Sequence, residues 1–140
     1  MALKKTIGAI VASFILLLVG GYLIHVVWLA QDYQQHSDLW RAENAMHHRM
    51  LHIYIANLIF SIGAVLIYAR GVEAKPWVGQ GIRFGILLVL VTVVPNSLVQ
   101  YFVYPLPHQL VLKWIIGGSL LTLIVALAIA AICQPKHQST

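Results

Sequence analysis

Histidine is the residue type in this sequence that could support chemistry. His48 and His52 are four residues apart, so a helix would place both imidazoles on one face, a workable spacing for two ligands of one metal ion. His25 lies near the far end of the first apolar run. Imidazole suits Zn, Cu or Fe, and histidines on neighbouring helices can also be axial ligands of haem b. The pattern therefore indicates a candidate metal or haem site at His25, His48 and His52.

Two other interpretations of the histidines stay open. Histidine is amphipathic and sits well at the headgroup level of a membrane, and it can also sense pH by protonation. No HExxH motif is present, and Arg41 and Arg49 would repel a metal cation. The segment His47-His48-x-x-x-His52 resembles one histidine box of the membrane di-iron oxygenases, but those enzymes need several such boxes.

Other reactive groupings are missing from the sequence. There is no Ser-His-Asp arrangement, P-loop or GxGxxG, and the single cysteine, Cys133, cannot form an internal disulfide or a CxxC pair. The nine Lys and Arg residues are scattered, which argues against nucleic-acid binding. The sequence therefore favours a protein that is not an enzyme.

The composition indicates that most of the chain lies in a lipid bilayer. The chain is 60% hydrophobic and only 9% charged, whereas soluble domains carry about a quarter charged residues. Four intervals free of Lys, Arg, Asp and Glu are each long enough for a membrane-spanning helix. The predicted spans are about 7–29, 50–69, 84–104 and 114–133. They predict an all-α, integral membrane four-helix bundle in a single domain, 1–140.

The basic residues predict the orientation of this bundle. With the N-terminus in the cytoplasm, six basic residues lie inside and three outside, which satisfies the positive-inside rule. The inner six are Lys4, Lys5, Arg70, Lys75, Arg83 and Lys136. Both termini are then cytoplasmic, and every histidine but His137 lies outside or in the outer leaflet. Lys75 and Arg83, on the inner face, are candidate contacts for lipid headgroups.

The external segment, 31–49, is the longest connection. Ser37 is a good helix N-cap, with Asp38 in the first turn, so we expect the second helix to begin early, near Asp38, and to project from the membrane. The alternative is a separate helix that lies in the interface with Trp40 in the lipid.

The spans contain small and polar residues with a packing role. Gly81-x-x-x-Gly85 would let another helix approach closely, and Pro95 should kink the third helix. Asn57, Asn96 and Gln100 are uncharged polar groups at membrane depth. We expect them to form hydrogen bonds between helices or to line a ligand pocket near the proline.

Several short pieces resemble an uncharacterised family of small four-helix bacterial inner-membrane proteins. They are Leu23-Ile24-His25, Asp32-Tyr33, Leu39-Trp40-Arg41, Gly81-Ile82-Arg83-Phe84-Gly85, Tyr104-Pro105 and Lys113-Trp114-x-x-Gly117. The resemblance implies a bacterial inner membrane protein and carries no known activity.

The absence of a reactive grouping, together with the small residues on the spans, predicts a non-catalytic accessory or assembly subunit. Its expected partners are membrane lipids and other membrane-protein subunits or further copies of itself. A metal- or haem-binding membrane protein is the alternative, although no cofactor is required.

Overall fold

The computed structural model describes residues 3–134, which form helices and connecting loops without any strand. We number the helices α1 to α6. They are α1 (Leu3–Trp28), α2 (Ala30–Gln35), α3 (Glu43–His47), α4 (Met50–Gly71), α5 (Trp77–Val103) and α6 (His108–Cys133). By length and composition, α1, α4, α5 and α6 can each cross a membrane. The protein is therefore a multi-pass membrane protein built as an all-α four-helix bundle.

The connections alternate between the two ends of the bundle. We call residues 29–49 the cap segment, and the end of the bundle that carries them the cap end. At the opposite, base end, the Lys5 ammonium donates to the Gln134 carbonyl oxygen over 2.5 Å. Lys136 and His137, which the sequence analysis placed at this end, lie outside the described residues.

The other three long helices pack around α6. Helices α1 and α5 lie along it, and α4 packs against α1 and α6. The core is concentrated toward the base end, where Val65, Val125 and Ile129 are fully buried. Large apolar side chains on the outer surface, such as Phe102 at 91% exposed, are suited to contact lipid.

Glycines allow α5 and α6 to approach closely. A Cβ atom added to Gly81 would lie 3.0 Å from Ala130 Cβ, and one added to Gly85 would lie 3.1 Å from Ala126 Cβ. The expected function of the Gly81-x-x-x-Gly85 spacing is thus confirmed as an intramolecular helix contact.

The predicted kink site in the third span is a stretch of π-helix. Residues Val89–Val93 form a wider turn that ends two residues before Pro95, which has no N–H to donate. A second π-helical stretch, Leu23–Trp28, ends α1, where the Leu29 N–H donates to the Ile24 carbonyl oxygen. The first stretch lies at the cap end of α1, and the second spans the middle of α5.

Two of the long helices begin earlier than the charge-free intervals. Helix α5 starts at Trp77 and α6 at His108, whereas the intervals suggested about 84 and 114. Arg83 and Lys113 lie within the first two turns of these helices. Long basic side chains near a helix end can reach toward water, so the charge does not end the helix.

The expectation that the second helix begins near Asp38 is wrong. The chain forms a short 3₁₀ turn at Ser37–Leu39, Trp40 is extended (φ −109°, ψ 157°), and α4 begins only at Met50. Ser37 makes no side-chain cap hydrogen bond. The Trp40 ring packs against Tyr33 and Trp114, and this packing requires a backbone conformation at Trp40 that is not helical.

Candidate binding site at the cap end

Two polar contacts hold the cap segment on α6. The Lys113 ammonium donates to both carboxylate oxygens of Asp32, each at 2.8 Å. One residue farther along both elements, the Trp114 indole N–H donates to the Tyr33 hydroxyl, also at 2.8 Å. These adjacent contacts fix the position of α2 on the start of α6.

Four aromatic rings form a cluster at this junction. The imidazole of His25 stacks on Tyr33, with ring centroids 6.0 Å apart, and Trp40 meets Tyr33 edge-on at 5.3 Å. Trp40 also lies 6.1 Å from the Trp114 ring. The cluster therefore packs residues of α1, the cap segment and α6 against one another.

The Tyr33 hydroxyl lies at the centre of this cluster. Burial raises the pKa of Tyr33 to about 12, so the hydroxyl keeps its proton near neutral pH. It accepts a hydrogen bond from Trp114, and its own proton is available to His25 Nδ1, 2.6 Å away. On this assignment His25 Nδ1 is an acceptor, and the ring carries its proton on Nε2.

The structure does not gather the candidate histidine ligands into one site. His52 Nδ1–H donates to the Arg49 carbonyl oxygen at 3.2 Å, His48 is exposed, and His25 is bonded to Tyr33. Within residues 3–134, no three side chains of His, Cys, Asp or Glu are placed to hold a metal ion. A site at His25, His48 and His52 stays a prediction that no contact in the described chain supports.

The remaining histidines at the cap end have separate neighbours. His36 Nδ1–H donates to the Asp32 carbonyl oxygen at 2.9 Å, and His47 Nε2 lies 3.7 Å from a Glu43 carboxylate oxygen. His108 packs against Tyr101, with ring centroids 6.2 Å apart. These imidazoles therefore contribute to local structure of the cap end.

A cavity of about 520 Å³, here cavity one, lies between the cap segment and the loop that joins α5 to α6. Its lining includes Trp40, Arg41, Gln100 and Trp114. The Trp40 indole Nε1 is buried and has no hydrogen-bond acceptor. Among the described residues Arg41 has no ion-pair partner. Cavity one therefore combines a free cation with a residue whose buried donor is unused.

A second cavity of about 550 Å³, cavity two, lies deeper, among the four long helices. Its lining includes Asn57, Asn96 and Gln100. Within the described chain, none of these three side-chain amides has a hydrogen-bond partner. The expected interhelical hydrogen bonds do not form, and the amides instead line a cavity close to Pro95.

The two residues proposed to contact lipid headgroups lie near the base end. Lys75 forms an ion pair with Glu73, and its ammonium lowers the pKa of that carboxyl. Arg83 is exposed and has no ion-pair partner among residues 3–134. Of the two, Arg83 has the charge available for a phosphate, and the contact stays a prediction.

The Asp32–Lys113 and Tyr33–Trp114 contacts could not be seen in the sequence. Their partners are 81 residues apart, and no local spacing indicates the pairing. The one available signal is that Asp32-Tyr33 and Lys113-Trp114 both place a charged residue beside an aromatic one at a predicted membrane boundary.

No family model, curated protein or solved structure matches the chain.

Proposed function

We propose that the protein is a non-catalytic accessory or assembly subunit of a bacterial inner membrane complex. In this proposal, cavity two receives a transmembrane helix of a different subunit. The observation that carries the proposal is the set of unpartnered amides of Asn57, Asn96 and Gln100. An amide without a partner at membrane depth is costly, because lipid tails cannot supply a hydrogen bond.

The shape of α4 supports a helix as the occupant. At the base end, α4 buries Ser61, Ala64, Val65 and Tyr68 against the bundle. At the cap end, by contrast, every residue of α4 from Met50 to Ala56 is exposed. This half of α4 is therefore exposed around its whole circumference, and cavity two lies between it and α5. A second helix there would gain packing against α4 and α5 together.

The amides specify the chemistry of the partner. A helix that carries Ser, Thr, Asn or Gln at the matching depth could form hydrogen bonds with Asn57, Asn96 and Gln100. Each such bond contributes roughly 0.6–2 kcal/mol in a membrane. The partner helix is therefore expected to place a polar residue toward cavity two and apolar residues toward the lipid.

Site-specific crosslinking in native membranes tests the proposal. A photoreactive residue at Ala56, which lines cavity two, should capture one partner protein of defined mass. The same residue at Val11, exposed on α1, is the control. Asn96→Leu combined with Gln100→Leu should reduce capture at Ala56, because these substitutions remove the hydrogen bonds but keep a similar volume.

Two results would overturn the proposal. One is capture at Ala56 that does not exceed capture at Val11 or is unchanged by the two leucine substitutions. The other is capture of a second copy of this chain and nothing else, which would show that cavity two is a surface for self-association.

A further inference from the structure

Cavity one differs from cavity two in charge and position. It lies at the cap end of the candidate membrane spans, and its lining includes Trp40, Tyr104 and Trp114, residue types that favour the headgroup level. Arg41 is its charged lining residue, and no carboxylate lines it. The cavity is therefore suited to an occupant with negative charge.

An unused hydrogen-bond donor points to the same chemistry. The Gln100 amide lines cavity one and has no partner within the described chain. An oxygen acceptor from outside the chain could accept its hydrogen bond. A phosphate or carboxylate headgroup supplies several acceptor oxygens at once.

The acidic residues of the cap segment leave Arg41 free. The Asp32 carboxylate is occupied by Lys113, and Glu43 lies 3.7 Å from His47. Asp38 forms no ion pair within residues 3–134. The Arg41 guanidinium can therefore offer a bidentate pair of donors to an anion.

The rest of the cavity wall is apolar. Leu39, Met46, Pro105 and Leu106 form it. The volume of about 520 Å³ falls within the roughly 300–1,000 Å³ typical of small-molecule sites. An inorganic anion would leave this apolar wall uncovered, whereas an amphiphile would cover it with its glycerol and upper acyl carbons.

We propose that cavity one is a binding site for the anionic headgroup of a membrane lipid, held by Arg41 and the Gln100 amide. The lipid enters from the leaflet at the cap end. The positive charge of Arg41 favours anionic over zwitterionic lipids, because the phosphate charge of an anionic headgroup is not offset by an ammonium group. Gln100 lines both cavities, so Arg41, which lines cavity one and not cavity two, separates this proposal from the accessory role.

The test uses the full chain in nanodiscs of phosphatidylcholine, with phosphatidylglycerol added in steps. Phosphatidylglycerol should raise the unfolding temperature in a saturable way, and native mass measurement should show one such lipid retained. A second arm adds inorganic phosphate to nanodiscs of phosphatidylcholine and should give no stabilisation. Equal stabilisation by inorganic phosphate, or none by phosphatidylglycerol, would overturn the proposal.

A matched pair of variants separates binding in cavity one from general attraction to a negative surface. Arg41→Gln should weaken the retention of phosphatidylglycerol about tenfold, because it removes charge-assisted hydrogen bonds. Arg49→Gln removes the same charge from an exposed position outside the cavity and should change retention little. Equal effects of the two substitutions would contradict a specific site.

Discussion

The ammonium of Lys113 lies 2.8 Å from both carboxylate oxygens of Asp32, across 81 residues of sequence. The pair is partly buried, with side-chain exposures of 36% for Lys113 and 18% for Asp32. Removing one partner should therefore destabilise the protein more than breaking a surface ion pair would, because the other charge would be left partly buried without a partner. This contact holds the cap segment, and with it Trp40 and Arg41, against the start of α6.

Asp32→Asn should loosen the cap segment and leave the rest of the bundle folded. We expect a loss of about 1–2 kcal/mol in the stability of the cap, because the Lys113 charge loses its partner in a half-buried position. Hydrogen exchange of residues 30–47 measures this loss. Asp38→Asn removes the same charge from an exposed residue and serves as the control. Equal exchange in the two variants would show that the ion pair does not hold the cap.

Stability should fall at high pH because of Tyr33. Burial raises the pKa of Tyr33 from 10.0 to about 12 in the folded protein, so folding favours the protonated hydroxyl. The resulting stabilisation is fully present below about pH 10 and is lost as the pH rises toward 12. The free energy of unfolding, measured between pH 10 and 12, should fall as the pH rises, and the part of this fall that is due to Tyr33 should be absent in Tyr33→Phe. The prediction would be contradicted if a tyrosinate absorbance titration found that no tyrosine assignable to Tyr33 ionises near pH 12.

Gly85→Ala should push α5 away from α6. The new methyl would lie 3.1 Å from Ala126 Cβ and 3.3 Å from Leu123 Cα, which cannot move without the helix. We expect a loss of roughly 1–3 kcal/mol, as for other overpacked sites. Gly79→Ala is the control on the same helix, because a Cβ there meets nothing within 4 Å. That variant should be neutral or more stable, since alanine favours helix.

Gln80 should be important for the turn between α4 and α5. Its amide nitrogen donates to the carbonyl oxygens of Glu73 and Lys75, and its amide oxygen accepts from the Glu73 N–H, all within 2.9 Å. Gln80→Glu replaces the donor with a carboxylate oxygen and should cost about 1–3 kcal/mol in the free energy of unfolding. Gln109→Glu, at an exposed position, should have little effect. Equal unfolding free energies in the two variants would argue against this role.

The sequence was sufficient to predict the four long helices because the signal for each is local. Intervals without charge set the number and order of the helices, and the spacing of Gly81 and Gly85 predicted a close helix contact that the structure confirms. The start of α4 was mispredicted because Ser37 and Asp38 look like a helix N-terminus on local grounds. The chain instead forms a 3₁₀ turn at Ser37–Leu39 and is extended at Trp40, whose ring packs against Tyr33 and Trp114.

The two cavities could not be predicted because they depend on gaps between distant elements. Pro95 drew attention to the region of cavity two, but the sequence could not show that the amides of Asn57 and Asn96 would be left without partners. The lining of cavity one joins the cap segment to the α5–α6 loop, which are more than 50 residues apart. Only the tertiary arrangement places Arg41 and Gln100 in the lining of the same cavity.

The π-helical stretches at Leu23–Trp28 and Val89–Val93 are two places where α1 and α5 can lose one residue without a change in the rest of the helix. A π turn closes its hydrogen bond over one residue more than an α turn does. Deleting one residue within either stretch would return it to α-helix and leave the helical frame on both sides intact. A deletion elsewhere in the same helices would rotate all later side chains by about 100°. In an alignment of relatives, single-residue gaps would therefore collect at these two stretches, and the flanking sequence would align without them.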